Sequence, residues 1–453
     1  MFVKNFVIPN TQFRYGNSDE LDLESICQFM SMGYFLGDTT YFKGLKQILP
    51  ATEFELQGEK VINSKEYFSW HYNPKYRSFD EIYEEFVSIL ENSVKNASEN
   101  VVIPISGGLD SRTLLVAALK LKKNITGYSY HFKGGWNESK YGKTMARKFG
   151  FDFKSFEVQE GGLWNYLDDL SIRNQCYSEF THPRQFAFYE ELRNKFSGTF
   201  LLGHGGDLFF DHMNVSENLL LGEQHTEIFN RMVKPSGYSL GNELWKQWGL
   251  SGSFHDYLTD QIFHAYNSIQ IQNVNAHFRA FKSKFYVPRW TCTNLEIFND
   301  FGPVKLPYFE DEMCKFICNV PEQILAGRKL QIEYIKRNNP TLANLEWESH
   351  KPFNLNNYQL DRAPFNYPYR GIQKLRRTMS TKKYIQRNWE LQFLGKNNFS
   401  ILSERILSLE SLVDKNILSI ALQNFKNKPN ENFHGITMLL TLAQFKNNFF
   451  EKQ

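Results

Sequence analysis

Three observations in the sequence predict an α/β fold with a parallel sheet flanked by helices. Apolar, strand-like segments alternate with amphipathic helical segments between residues 79 and 158. Two glycine-rich loops, residues 106–108 and 203–206, each follow directly after an apolar strand-like segment. The order β–α–β–α–β implies parallel strands joined by right-handed crossovers. Because ligands bind such sheets beyond the carboxyl ends of the strands, both loops are candidate binding elements.

The domain organisation follows from length and local pattern. A chain of 453 residues is too long for one simple core, so we expect two domains or one domain with large insertions. Residues 1–75 contain short strands between turns and predict a small β-rich N-terminal domain. Residues 76–453 form the second domain, with a helical insertion at about 210–290 and a helical C-terminal extension from residue 370.

Composition excludes several classes of function. The net charge is +3 and no dense Lys/Arg block is present, so nucleic acid is not expected as a partner. No apolar run approaches the ~18 residues of a membrane span, and the N-terminus lacks a secretory pattern. The five cysteines are odd in number, and Cys314 and Cys318 lack a partner pair for zinc. The sequence therefore predicts a reduced, cytoplasmic protein without a membrane anchor.

The first loop lies between a strand and a helix. The apolar segment 101–105 predicts a buried strand, and Leu114, Leu115 and Ala118 share one face of the following helix. Free N–H groups and the positive dipole end at that helix N-terminus favour an anion, best a phosphate. Asp110 is the wrong charge for an anion, so it is interpreted as a ligand of the accompanying Mg²⁺.

The remaining elements follow in order. Their periodicity predicts a helix at 79–97, a strand at 125–132, a helix at 138–149, a strand at 151–158, a helix at 185–196 and a short strand at 199–202. The second loop, Gly203-His204-Gly205-Gly206-Asp207, comes directly after the last of these strands. On the same sheet edge it would face the first loop, and Asp207 would share Mg²⁺ with Asp110.

The run Ser-Gly-Gly-Leu-Asp-Ser at 106–111 resembles the PP-loop of ATP pyrophosphatases, which split ATP into AMP and pyrophosphate, and it lacks the spacing and lysine of a Walker loop. Together with Gly-x-Gly-x-Asp about a hundred residues later, it resembles the synthetase domain of the asparagine synthetase and β-lactam synthetase family. Residues 33–70 are similar to the end of the glutaminase domain of asparagine synthetases. That domain begins with a nucleophilic Cys at position 2. Here position 2 is Phe2, so we interpret residues 1–75 as a truncated, inactive glutaminase remnant.

The resemblance implies an ATP-dependent, amide-forming ligase with ATP and Mg²⁺ as cofactors. A carboxylate would form an acyl-adenylate, which ammonia or an amine then attacks. The metal ligands would be Asp110 and Asp207. His204 would manage the proton of the attacking nitrogen, and Lys351 would neutralise pyrophosphate and the developing oxyanion. The ATP and pyrophosphate contacts would come from Ser106, Gly107, Gly108, Leu109, Ser111, Arg112, Tyr130, Gly203 and Gly205.

Two of these positions have alternative interpretations. The family has Glu or Tyr where this chain has His204, and a neutral imidazole can accept a proton, but a His in a tight loop can instead serve structure alone. Lys351 lies in a segment, 345–353, that only loosely matches the family's pattern, and a single Lys is commonly a solvated surface charge.

Three functions remain open at this stage. The first is a ligase whose substrate is a small-molecule or peptide carboxylate and whose nitrogen is ammonia, an organic amine or the product of a separate glutaminase. The second is an intramolecular amide cyclase of the β-lactam or macrocycle type, which needs no external nitrogen donor. The third is an ATP-binding pseudoenzyme.

Overall fold

The strands of the protein form one parallel and two antiparallel sheets. The computed structural model describes residues 2–8, 12–58, 60–379 and 384–450. The strands are β1 (Phe2–Asn5), β2 (Arg14–Tyr15), β3 (Lys46–Gln47), β4 (Thr52–Gln57), β5 (Lys60–Glu66), β6 (Asn100–Pro104), β7 (Asn124–Phe132), β8 (Asp152–Val158), β9 (Thr199–Leu201) and β10 (Val304–Lys305). The large sheet has the order β10-β9-β6-β7-β8 with every neighbouring pair parallel. The predicted α/β fold with a parallel sheet is confirmed.

Helices surround this sheet and build the rest of the chain. Those up to the second glycine-rich loop are α1 (Leu23–Met32), α2 (Phe79–Lys95), α3 (Leu109–Lys120), α4 (Ser139–Phe149), α5 (Leu167–Arg173), α6 (Tyr189–Lys195) and α7 (Gly206–Phe210). The next group is α8 (Leu221–Met232), α9 (Pro235–Gln247), α10 (Phe254–Asn267), α11 (Val274–Phe281) and α12 (Cys292–Leu295). A π-helical segment, Lys282–Thr291, joins α11 to α12.

The last helices follow β10 along the chain. They are α13 (Asp311–Ile317), α14 (Glu322–Leu325), α15 (Lys329–Asn338), α16 (Pro340–Ala343), α17 (Tyr367–Met379), α18 (Asn388–Phe393), α19 (Lys396–Leu407), α20 (Lys415–Asn427) and α21 (Pro429–Phe445). In the part of the chain that the structure describes, no helix is both long and apolar enough to cross a membrane.

Local sequence explains where the elements before the first loop begin and end. Ser78 and Glu81 form a reciprocal capping box that starts α2. The strand β6 lies in the middle of the parallel sheet, and Val101, Val102 and Ile103 are almost completely buried. A central parallel strand has helices on both faces, which is why its sequence is continuously apolar rather than alternating.

The N-terminal unit of residues 2–75 contributes two small antiparallel sheets, β1-β4-β5 and β2-β3, and one helix. Helix α1 packs against α9 and α21, and the ring of Tyr41 stacks on Phe445 with centroids 3.7 Å apart. Buried residues of this unit belong to the same continuous hydrophobic core as the parallel sheet. The sequence pattern predicts only strands and turns for residues 1–75, whereas the structure also has the helix α1 there.

Candidate functional site

A cavity of about 670 Å³ lies at the carboxyl edge of the parallel sheet. The ends of β6 and β7, the loop after β9 and the π-helical segment all contribute to its wall. Of the thirteen residues predicted for the site, eight line it: Ser106, Asp110, Ser111, Tyr130, Gly203, His204, Gly205 and Asp207. The fold thus brings both predicted loops to one cavity.

The first loop is held by hydrogen bonds within itself. The Ser111 hydroxyl accepts from the backbone N–H of Ser106 at 3.1 Å, and the Ser106 hydroxyl accepts from the N–H of Gly108 at 3.2 Å. The two hydroxyl oxygens are 3.3 Å apart. Helix α3 starts immediately afterwards without a side-chain cap, so N–H groups of its first turn remain available to a ligand.

Leu109 and Arg112, both predicted as ATP or pyrophosphate contacts, are not part of the cavity wall. Leu109 is buried in the core. The guanidinium of Arg112 is completely buried and donates to the carbonyl oxygens of Gly107, Leu342, Leu345 and Glu346 at 2.9–3.4 Å. Burial lowers the pKa of Arg112 to about 10, so it keeps its charge at neutral pH. Arg112 therefore ties the loop to the segment after α16 rather than reaching a phosphate.

Gly107 is packed against the same distant segment, and its carbonyl oxygen accepts a hydrogen bond from the N–H of Glu348 at 3.2 Å. A Cβ atom there would lie 2.8 Å from the ring of Tyr141. Gly107 and Gly108 are not part of the cavity wall, although Gly108 is the residue from which α3 starts.

The second loop packs directly against the first. A Cβ atom on Gly203 would lie 3.1 Å from the backbone nitrogen of Ser111, and one on Gly206 would overlap Oδ1 of Asp110. Gly205 has a φ of +96° and its missing side chain leaves room for the ring of Phe309. These glycines let the two loops touch, which places Asp207 beside Asp110.

The carboxylate of Asp110 is oriented by two residues near the start of α15. Arg328 forms an ion pair with Oδ1, and Gln331 Nε2 donates to the same oxygen at 2.9 Å. Burial raises the pKa of Asp110 above its usual range, Arg328 and Gln331 oppose this, and the neighbouring Asp207 raises it further. The oxygen Oδ2 has no hydrogen bond or ion pair with any described residue, so one oxygen stays open toward the cavity.

Asp207, by contrast, is exposed to the cavity and bonds to none of the residues that the structure describes. No cluster of three or more His, Cys, Asp or Glu suited to a metal occurs within the described ranges. Mg²⁺ is rarely held by protein ligands alone, and two carboxylates suit it when phosphate oxygens and water complete its coordination shell. The pair Asp110 and Asp207 therefore fits a Mg²⁺ that arrives with a nucleotide.

His204 projects from the second loop into the same cavity. Its Nδ1 is buried and has no hydrogen-bond partner among the described residues. Burial of the ring lowers the pKa of His204 to about 4, while the Asp207 carboxylate opposes this shift. The imidazole is therefore neutral at physiological pH and retains a lone pair for a proton.

Tyr130 lies at the end of β7 on another part of the wall. Its hydroxyl accepts from Arg184 at 3.4 Å, and its ring lies 5.9 Å from that of Phe188. Arg184 lines the cavity too, and its Nε is buried without a partner in the described part of the chain. The structure thus places Tyr130, a predicted ATP contact, beside the cation of Arg184 on this wall.

Lys351 lies outside the cavity wall, near its edge. Its ammonium group bonds to Glu348 at 2.7 Å and lies 4.2 Å from the ring centroid of Trp136, which does line the cavity. Burial raises the pKa of Glu138, a cavity residue, while Lys351 and Arg184 oppose that shift. Lys351 is thus a partly buried, paired cation rather than a solvated one.

Three cavity residues were not predicted from the sequence, because they lie within residues 210–290, where the pattern indicates only a helical insertion. Lys282, Tyr286 and Trp290 all belong to the π-helical segment and line the cavity together with the loops. Lys282 forms no ion pair within the described ranges, and burial lowers its pKa. A π-helical insertion is frequent at functional sites, but its sequence carries no clear signal.

The N-terminal unit supports this wall. Arg289 donates to the carbonyl oxygens of Phe35 at 3.0 Å and Thr39 at 2.6 Å, and Gln12 donates to that of Pro288 at 2.9 Å. The unit that the sequence likens to a glutaminase remnant therefore has a structural role, because it fixes the π-helical segment.

Comparisons with known proteins identify the family. A family model described as asparagine synthase matches residues 85–329, more than half of the 453-residue chain. The chain belongs to the asparagine synthase family. This confirms the family predicted from the two loops, and the match begins after the N-terminal unit.

Individual relatives are distant. Asparagine synthetase [glutamine-hydrolyzing] 1 of Bacillus subtilis is 25% identical over 159 residues, which is 34% of this chain. The match spans only a quarter of that relative's length. Among solved structures, NMN synthetase from Francisella tularensis is 13% identical with a TM-score of 0.24, covering 47% of this chain and 97% of that one.

Proposed function

We propose that the protein is an ATP-dependent, amide-forming ligase that releases AMP and pyrophosphate. The observation that carries this proposal is the contact between the two loops, which sets Asp110 and Asp207 side by side at one cavity. Membership in the asparagine synthase family supports the general class of reaction.

In the first half-reaction a carboxylate oxygen attacks the α-phosphorus of ATP. The bond from that phosphorus to the bridging oxygen breaks, and pyrophosphate leaves with the electron pair. Ser106, Ser111 and N–H groups at the start of α3 would hold the leaving pyrophosphate. Mg²⁺, held by Asp110 and Asp207, would supply charge neutralisation for the phosphates.

In the second half-reaction a nitrogen attacks the acyl carbon and AMP leaves. The attacking nitrogen must lose a proton, and His204 is the neutral base that the second loop presents to the cavity. The rest of the rate enhancement of both half-reactions would come from positioning the two reactants and from fixed charges around them.

Two cationic side chains line the cavity, Arg184 and Lys282. Neither has a carboxylate partner within the described ranges, so both are available to an anionic group on a bound molecule. Lys351 lies at the edge, where it would approach the phosphates only if it leaves Glu348.

The test is a product analysis with isotope tracing. Incubation with MgATP, an ammonium salt as nitrogen donor and a library of carboxylic acids should yield AMP and pyrophosphate in equal amounts, without ADP. An acid labelled with ¹⁸O in its carboxyl group should transfer one label to AMP, because its oxygen forms the new bond to phosphorus. Formation of ADP and phosphate would overturn the proposal.

The nitrogen is not expected to come from glutamine hydrolysis by this chain. All five cysteines are buried, and burial raises their thiol pKa values, that of Cys318 to about 11. A buried thiol in its protonated form is a poor nucleophile. We expect no glutamate release from glutamine by the purified protein, measured against a blank without enzyme; release above the blank would contradict this.

A further inference from the structure

Exposed apolar side chains are concentrated around one helix, α17. Seven of the seventeen large apolar side chains that are exposed in the described residues fall between positions 360 and 384. They are Leu360, Phe365, Tyr367, Ile372, Leu375, Met379 and Tyr384, with 37–74% of each residue exposed. Single exposed apolar residues are normal on a protein surface, but a contiguous group indicates a binding surface.

Helical spacing places part of this group on one side of α17. Ile372, Leu375 and Met379 follow the i, i+3, i+7 pattern of a single helix face. Among the residues of α17 whose side chains the structure describes, Tyr369 and Gln373 are half-buried and mark the side turned toward the protein. The apolar face is therefore presented to the outside and is not part of the core.

The charge of α17 has one sign. Its sequence contains four basic residues, Arg370, Lys374, Arg376 and Arg377, and no acidic residue. Arg370 and Lys374 are exposed and form no ion pair with any residue of the described ranges. The chain as a whole carries a net charge of only +3, so this positive charge is local.

We infer that α17 binds an anionic lipid surface, with its apolar face in the headgroup region and Arg370 and Lys374 against lipid phosphates. An amphipathic helix that is low in overall hydrophobicity, rich in Lys and Arg and apolar on one face is the pattern of an interfacial helix. Such a helix lies on the membrane and does not cross it, which agrees with its 13 residues. A basic helix without acidic residues complements anionic lipid and has no charge pairs to offer a second copy of itself.

The helix lies beside the active-site cavity. The segment before it is joined to the 345–353 region by a contact of 3.1 Å between Asp361 and His350. The segment after it pairs Ile385 with Gly135, and the next residue, Gln386, lines the cavity. Lipid binding by α17 would hence bring the mouth of the cavity close to the membrane surface.

The test is co-sedimentation of the full chain with vesicles. The protein should bind vesicles of mixed phosphatidylcholine and phosphatidylglycerol, bind pure phosphatidylcholine far more weakly, and lose affinity as salt is raised. The triple variant Ile372→Ser, Leu375→Ser, Met379→Ser and the charge variant Arg370→Glu, Lys374→Glu should each weaken binding at least about tenfold. Both alter exposed residues, so the circular dichroism spectrum and melting temperature should stay as in the wild type.

A matched control is Ile420→Ser on α20, which removes an equally exposed apolar side chain (60%) away from the patch and should leave vesicle binding unchanged. Equal binding to both kinds of vesicle, or binding that survives both α17 variants, would overturn the inference. The inference would also be overturned if the wild type binds no vesicles and is an oligomer that the triple variant converts to a monomer. A second copy of the chain would then cover this face.

Discussion

The two loops of the cavity are built in opposite ways. In the first, the Ser106 and Ser111 hydroxyls bond within the loop, and Arg112 secures it through four carbonyl oxygens. In the second, the side chains of His204 and Asp207 make no hydrogen bond within the described part of the protein. The first loop is thus held in place by the protein itself, whereas the side chains of the second loop remain available to bond to a bound molecule.

This difference separates the expected roles of the loops. The first loop is suited to a group that is the same in every turnover, such as the phosphates of ATP. In the proposed reaction the second loop would supply side chains to the reacting atoms, where the partner changes between the two half-reactions. Asp110 and Asp207 link the two, because each loop contributes one carboxylate.

The largest effect is expected at Asp110. Asp110→Ala removes a metal ligand and leaves Arg328 without its carboxylate partner, so turnover should fall by about 10³-fold or more. Pyrophosphate release with MgATP and the active acid measures this. Turnover within a few-fold of wild type would show that the first loop acts without Asp110.

His204→Ala should sharpen the comparison by affecting only one half-reaction. In the proposed reaction the acyl-adenylate would form before nitrogen attacks, so exchange of labelled pyrophosphate into ATP should persist while amide formation slows by about 10²–10⁴-fold. If the variant loses pyrophosphate exchange and amide formation equally, His204 instead belongs to the nucleotide site. If amide formation is unchanged, His204 has no chemical role and only occupies space in the loop.

The wild-type pH profile belongs to the same experiment. Because burial lowers the pKa of His204 to about 4, the ring stays neutral through the mildly acidic range. The part of the amide-forming rate that depends on His204 should therefore not decline at the ordinary imidazole pKa, and should fall as pH drops through about 4. A decline near the ordinary value would show that the ring is more solvated during turnover than in this structure.

A smaller effect is expected from Gly206→Ala. The added methyl group would overlap Oδ1 of Asp110 and shift a carboxylate that must be well placed, which should cost about 10²-fold in turnover. The matched control is Gly222→Ala in α8, where a Cβ atom meets nothing within 4 Å. We expect the control to match wild type, and a similar loss in both variants would point to a general effect on folding.

The sequence predicts the fold and the loop positions well because both depend on local patterns. Continuous apolar strands, helical periodicity and glycine-rich turns are short-range signals, and they locate β6, β7, β8 and both loops to within one or two residues. The placement of Asp110 next to Asp207 follows from the parallel order of β6 and β9.

Contacts between distant segments are what the sequence does not reveal. Arg112 resembles a phosphate ligand by position, but a segment more than 200 residues away provides three of its four carbonyl partners. Arg328 and Gln331 orient Asp110 from a similar distance in the chain. Lys282 and Tyr286 reach the cavity only because of the π-helical turn and the N-terminal unit that supports it.

The central claim is that the two loops form one MgATP site, and a double-mutant cycle tests it most directly. Asp110→Asn and Asp207→Asn, alone and together, are titrated with MgATP, using the fluorescence of the cavity residues Trp136 and Trp290. If both carboxylates hold the same ion, each single variant weakens binding strongly and the double variant adds much less than the sum of the two. Additive losses, or single variants that bind MgATP as wild type does, would contradict a shared site.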